Sequence, residues 1–402
     1  MCYFVRLLFI PFYPVETHLV MVIKNNCWVF ISPVVLLLGL NANAQSPADQ
    51  PNKESPSLAL MREAWKHASA HGALQHPVIS PDKADVFAGS VPIEELHREG
   101  FEVLPGTTAD EKEMRDLIHA GADGMITDRP DVLQRVVVEE LASATTEEAK
   151  KRLERFDIQG HRGARGLRPE NTLPAYEKAL DLGITTIELD TGVTRDKVSN
   201  IWHDQFVNPR SCRRADGETY TKKNQIYFSD ISMAELQNTF VCDRAYFSPD
   251  QKNDQALSPV AGAFAKSVAI PDPYSPVSLG QLFKFIHYYE EYYRSGLGKG
   301  NPQAAFRVAS AQRIRFDIET KLVPDYIPVD ANHPDNLERT ANHTFGPQIF
   351  VDVLVKMIRD SHMQGRCEIE SFDFRTLRLV EEIAPKIPTY YLTGNRKLFP
   401  SQ

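Results

Sequence analysis

The chain has 402 residues, 42% of them hydrophobic and 24% charged, an ordinary globular composition that excludes a disordered tail, a collagen and a small disulfide scaffold. Lys plus Arg number 45 against 53 for Asp plus Glu, a formal charge of −8. No basic block stands out, so nucleic acid is not an expected partner, and a site for an anionic ester would need local cations.

The first 44 residues are apolar and carry three formal charges, Arg6, Glu16 and Lys24. From Met21 they read as a secretory signal: Lys24 opens it, Cys27 to Leu40 is the apolar run, and Ala42-Asn43-Ala44 is a small-x-small cleavage site. Cleavage is expected after Ala44, with residues 1–20 superfluous to the signal, and the product is expected to be secreted or periplasmic. The competing reading, an uncleaved anchor, is disfavoured because the apolar run is short for a span. Residues 45–57, polar and rich in Pro and Ser, read as a flexible lead-in.

Beyond residue 56, strand-like runs alternate with helical ones. The expected strands are Pro77–Ser80, Phe101–Pro105, Gly124–Thr127, Asp157–Gly160, Thr185–Asp190, Asn200–His203, Ile314–Glu319, Cys367–Phe372 and Pro388–Thr393. Helical patterns cover Pro92–Glu99, Glu111–Ala120, the charged stretch Val132–Arg155, Leu173–Leu182, Leu279–Arg294 and Phe350–Ser361. Strand then helix, repeated, predicts an α/β fold with a parallel sheet. Thr191–Ser199 is too short for a parallel crossover, so Asn200–His203 should fold back on its predecessor. Eight strands remain, three before residue 150 and five after, the count of a TIM (βα)8 barrel. The expected organisation is 58–132 with three strands, a helical joint at 133–155, and 156–402 with five strands and an insertion at 205–313. A barrel of ~250 residues tolerates such insertions. The aromatics of Leu279–Arg294 are read as core, or as a cover over a site mouth.

Three cysteines follow the leader. Cys212 and Cys242 are candidates for a disulfide, since an exported protein keeps such bonds, and Cys367 reads as a buried small hydrophobe. No Cys-x-x-Cys spacing supports zinc or redox chemistry at these residues.

Five short motifs fall where strands should end: Gly160-His161-Arg162-Gly163 followed by Pro169-Glu170-Asn171-Thr172, Glu188-Leu189-Asp190, Trp202-His203-Asp204, Asp317-Ile318-Glu319-Thr320-Lys321, and Glu370-Ser371-Phe372-Asp373. Glu188 and Asp190 are two apart on a strand, so their carboxylates share a face. With Glu319 they make an oxygen-rich pocket of the kind that Mg2+ or Ca2+ takes. His161 and His203 suit proton transfer near neutral pH, and Arg162 and Lys321 offer fixed cations for a phosphate. Each motif alone is weak, and a lone Glu-x-Asp is usually a solvated strand face. Asn171 or Thr172 reads as a helix N-cap, and Glu370 and Asp373 as hydrogen-bonding groups near a strand end. Convergence on the strand ends, the active face of a barrel, gives them weight.

In this order the motifs resemble the glycerophosphodiester phosphodiesterase family over residues 156–399, most closely an exported subgroup with an Asn-Pro after the His-Asp, here Asn208-Pro209. The resemblance implies a TIM barrel and divalent-metal hydrolysis of glycerophosphodiesters to an alcohol and glycerol 3-phosphate. It makes His161 and His203 the acid/base pair, Glu188, Asp190 and Glu319 the metal ligands, and Arg162 and Lys321 the phosphate-binding cations. The partner is a small-molecule phosphodiester, membrane contact is not required, and the oligomeric state is not indicated. The family's final segments stand in front here, as Val78-Ile79-Ser80-Pro81, Phe101–Thr107 and Gly121–Pro130, so the chain resembles a circularly permuted barrel. A barrel remnant fused to a truncated second barrel, or a faulty gene model, is the competing account. Gly106 stands where the family often has Trp, and Asp196-Lys197 where it has Asp-Gly. Two other functions stay open: a lipase D-like enzyme on lysophospholipids or sphingolipids with an apolar rim from the Phe283–Tyr293 aromatics, and an inactive binding protein built on a broken barrel.

Overall fold

A computed structural model describes residues 54–324 and 342–394. The predicted signal, with its cleavage site, and most of the predicted lead-in lie outside these residues. In chain order the first elements are α1 (Pro56–Ala70), β1 (Val78–Pro81), α2 (Lys83–Phe87), α3 (Ile93–Arg98), α4 (Glu111–Ala120), β2 (Gly124–Thr127), α5 (Pro130–Ser143), α6 (Glu147–Glu154) and β3 (Asp157–Gly160). Next come α7 (Leu173–Leu182), β4 (Thr186–Val193), β5 (Ser199–Ile201), β6 (Arg213–Arg214), α8 (Met233–Thr239), β7 (Phe240–Val241), α9 (Pro259–Ser267), α10 (Leu279–Arg294) and α11 (Ala304–Arg313). The last are β8 (Arg315–Thr320), α12 (Pro347–Asp360), β9 (Cys367–Ser371), α13 (Phe374–Ile383) and β10 (Thr389–Thr393).

Seven strands pair in parallel in the order β1-β10-β9-β8-β4-β3-β2. The gap between β2 and β1 is closed by residues 102–106. On one side Leu104 N–H donates to Ile79 O and Gly106 N–H to Pro81 O; on the other, Asp123 N–H donates to Val103 O and Ile126 N–H to Pro105 O. The sheet path from β1 to β2 therefore returns on itself among the described residues, which leaves neither β1 nor β2 as an open edge. The predicted strand Phe101–Pro105 is present only as isolated bridges, Ile79 with Val103 and Asp82 with Gly106, because Pro105 has no N–H to give a ladder.

Alternation along the strands sorts their side chains. Ile187, Leu189, Phe316, Ile318, Cys367 and Ile369 join the helices in one core cluster, while Glu188, Asp190, Asp317, Glu319, Glu368 and Glu370 occupy the opposite face. Register aligns them in two rows, Glu188 beside Asp317 beside Glu368, and Asp190 beside Glu319 beside Glu370. The second row lies at the carboxyl ends of the strands.

Local signals start and stop the helices. Ser55, Asp110, Thr146, Thr172 and Asp373 each accept an N–H of the following first turn, and Gly121 and Gly183 end their helices in the left-handed region. Thr146 explains one difference from expectation. The stretch Val132–Arg155 is two helices, since the Thr146 side chain accepts from Ala149 and begins a second one. Helix α1, unexpected after a flexible lead-in, starts from the Ser55 cap with Pro56 in its first turn. As expected, β5 folds back antiparallel on β4.

The predicted insertion 205–313 divides. Helices α9 and α10 place Phe264, Leu282, Phe285 and Tyr289 in the main core, so the aromatics are interior and form no apolar rim. A separate small core of Trp202, Val207, Cys212, Phe228, Leu236, Phe240 and Cys242 marks the true insertion. A Cys212–Cys242 disulfide closes it, and Cys367 is buried and free.

Candidate active site

The turn after β3 is shaped by glycine. A Cβ on Gly160 would stand 2.0 Å from the Gly163 carbonyl oxygen, so only glycine fits. Arg162 and Gly163 both take positive φ, 51° and 88°. This tight turn aims the Arg162 backbone N–H at Glu188 Oε2, 2.7 Å away.

His161 emerges from the same turn. Its Nδ1 lies 2.6 Å from Asp128 Oδ1 and its Nε2 3.8 Å from Glu188 Oε2. Arg165 Nε is 2.7 Å from the same Asp128 oxygen. Burial, reinforced by the Arg165 charge, pushes the His161 imidazole down to about 4. Burial works against ionisation of Asp128, but His161 and Arg165 outweigh it and hold the carboxyl at about 2. A neutral imidazole donating Nδ1–H to Asp128 leaves the Nε2 lone pair facing the carboxylates.

Glu188, Asp190 and Glu319 are buried, and one oxygen from each lies within 4.8 Å of the others. Burial, then the Asp190 charge, raises Glu188. Asp190 is lowered despite burial, because Arg162, His203 and Lys321 surround it. Lys321 Nζ donates to Glu319 Oε1 at 2.7 Å and lies 3.5 Å from Asp190 Oδ1. Two buried oxygens, Glu188 Oε1 and Asp190 Oδ1, have no hydrogen-bond partner. Those two buried oxygens on β4, with the Glu319 carboxylate facing them from β8, are the donor set of a hard divalent cation, so these residues fit one.

His203 is placed by the insertion. Trp202 N–H donates to Asp190 O, which sets the next residue beside the carboxylate row. His203 Nδ1 is 3.1 Å from Asp204 Oδ1, and Asn208 Nδ2 donates to Asp204 Oδ2 at 2.7 Å. Gln205 Nε2 donates to Lys321 O, tying the insertion to the end of β8.

A cavity of about 350 Å3 opens beside His161, Glu188 and Glu319, lined also by Glu370, Gly106 and Thr107 among others. The seven residues singled out from the sequence thus converge at one end of the barrel. Arg162 is engaged within it, with NH1 donating to Glu170 Oε1 at 3.1 Å and Nε 3.1 Å from Asp190 Oδ2. Four further groups complete the arrangement. Asp128 holds His161; Asn171 Nδ2 donates to Asp190 Oδ2 at 2.7 Å; Glu170 accepts from Arg162 and from the Tyr246 hydroxyl; Glu370 lines the cavity with Oε2 unpartnered. Of the two expected N-cap candidates, Thr172 caps α7 and Asn171 serves the site. Asp373, by contrast, caps α13. Asp128 and Glu370 carried a readable signal, a carboxylate at a strand end, whereas Asn171 and Glu170 did not.

Residues 161–272 match the glycerophosphoryl diester phosphodiesterase family. A glycerophosphodiester phosphodiesterase of Bacillus altitudinis is 39% identical over 64 residues, 16% of this chain and 26% of that protein. A glycerophosphoinositol inositolphosphodiesterase of Mus musculus is 37% identical over 80 residues, 20% of this chain and 14% of that protein. The matched stretches span between 6% and 28% of the curated relatives' lengths. Among solved structures, an Oleispira antarctica phosphodiesterase in complex with sn-glycerol-3-phosphate is 14% identical with a TM-score of 0.34, covering 58% of this chain and 64% of that one.

Proposed function

We propose that this chain hydrolyses glycerophosphodiesters to an alcohol and glycerol 3-phosphate, with a divalent ion, Mg2+ or Ca2+, held by Glu188, Asp190 and Glu319. The observation that carries the reading is the carboxylate triad, two of whose oxygens accept no hydrogen bond among the described residues, set against a neutral, Asp128-held His161. The family match over the His161 to Asp190 region supports it.

When bound, the ion would neutralise charge on the phosphate and favour attack at phosphorus. His161, kept unprotonated by burial and Arg165, takes the proton of the nucleophile at Nε2. His203, 29% exposed at the rim, is oriented by Asp204 to protonate the leaving alkoxide. Lys321 lies against the triad and supplies positive charge to the phosphate. Arg162 holds Asp190 and Glu170 in place as well as adding charge.

The chain is read as exported, on its signal-like leader, and as a circular permutant of the family's barrel. Pairing of β1 with β10 and of β2 with β3 in one chain supports the permuted reading. The test is hydrolysis of glycerophosphocholine by the 45–402 chain with and without EDTA. Activity should vanish with chelator and return with Mg2+ or Ca2+, and His161→Ala should lose about 10²- to 10⁴-fold in kcat. Undiminished turnover in His161→Ala would sink the reading.

A further inference from the structure

At the other end of the barrel, where β1 and β10 begin, α1 ends in a second constellation that the phosphodiesterase chemistry does not use. His67 lies in the last turn of α1 and His71 caps the C-terminus of that helix; their ring centroids are 4.6 Å apart. Glu382, at the end of α13, completes a group whose ligand atoms all lie within 4.8 Å of one another.

The nitrogen partners decide what these rings can do. His67 Nδ1 lies 2.7 Å from Glu381 Oε2. Glu381 is itself buried and fixed by the hydroxyls of Thr389, at 2.8 Å, and Tyr391, at 3.0 Å. His71 Nδ1 lies 2.9 Å from the His67 carbonyl oxygen. A carboxylate and a carbonyl only accept, so each neutral ring carries its proton on Nδ1 and offers a lone pair on Nε2. His67 Nε2 stands 3.5 Å from Glu382 Oε1. A ligand imidazole whose far nitrogen donates to a buried carboxylate is the usual outer-sphere support of a bound metal.

We propose that His67, His71 and Glu382 form a second metal site, with Glu381 orienting His67, and that it takes zinc or a similar first-row transition ion in preference to Mg2+ or Ca2+. Two imidazole nitrogens and one carboxylate suit zinc, and water supplies the fourth position. Bound metal would pin the last turn of α1 to α13, joining the front of the chain to its last helix. A simple His67–Glu381 ion pair is the bland reading, and it predicts no metal dependence.

The experiment is zinc titration of the 45–402 chain against a chromophoric chelator, with thermal melting in zinc and in magnesium. Wild type should bind one more equivalent of zinc than His71→Gln/Glu382→Gln, and zinc should raise its melting temperature by several degrees more. Both changes are at exposed positions, so the variant folds, and its unchanged triad makes any zinc at Glu188, Asp190 and Glu319 common to both proteins. Glu381→Gln should weaken zinc by roughly 10- to 100-fold. Equal stoichiometry and equal zinc-induced shifts in wild type and the double variant would overturn the proposal, whatever the outcome of the glycerophosphocholine assay.

Discussion

The Asp128 carboxylate does two things to His161. It accepts the Nδ1 proton, which fixes the tautomer, and it counters the pull of Arg165 on the ring. Asp128→Asn should therefore leave KM nearly unchanged and lower kcat by about 10- to 100-fold, with the acid limb of the pH–rate profile displaced to lower pH. A merely structural role would lower the melting temperature without moving that limb. The sequence singled out His161, His203, Glu188, Asp190 and Glu319 because their spacing on strands and their residue types carry chemistry by themselves. Asn171 was not legible in that way, and Asp128 showed only as a carboxylate at a strand end. Their roles exist only because β2 lies beside β3, and because a positive φ at Asn171 turns its amide toward Asp190.

Among the helices, α7 holds a buried group outside the site whose titration follows from packing. Glu177 accepts the backbone N–H groups of Val260 and Ala261 at the start of α9. Burial, and then the nearby Asp181 charge, push it up to about 8, against the opposing pull of those N–H donors. The folded protein thus binds this proton more tightly than the unfolded chain, whose ordinary value is about 4.3. The stability it contributes is complete below the unfolded value and is lost as pH rises through about 8. Glu177→Gln keeps an acceptor for α9 and cannot ionise. Melting curves from pH 5 to 9 should show wild type losing several degrees relative to this variant as pH rises, and parallel curves would refute the assignment. Most strands and helices were legible from alternation, caps and glycines. The break at Thr146 was not, because charged residues on both sides continue the helical pattern. Nor was the allegiance of α10, whose apolar face fits either a barrel or a cover until its partners are known.

At the scale of the molecule, closure rests on contacts between the two ends of the described chain. β1 pairs with β10, and residues 102–106 bridge β1 and β2. The 156–402 piece alone would expose two unpaired strand edges and part of the core that α1, α4 and α5 complete. Expressed alone it should show no cooperative melt, whereas the 45–402 chain should unfold in one transition; a cooperative transition in the shorter piece would contradict a single closed barrel. The sequence by itself determined the α/β alternation, the place of most strands and the identity of the chemical side chains, since these depend on local periodicity and residue type. Only the tertiary structure decided that β1, β2 and the bridging segment 102–106 close one sheet with the five later strands, and that the carboxylates form registered rows. It also decided which residues hold the catalytic candidates in place. Those outcomes depend on pairing between residues far apart in sequence, where the chain's local pattern carries no record of its neighbour.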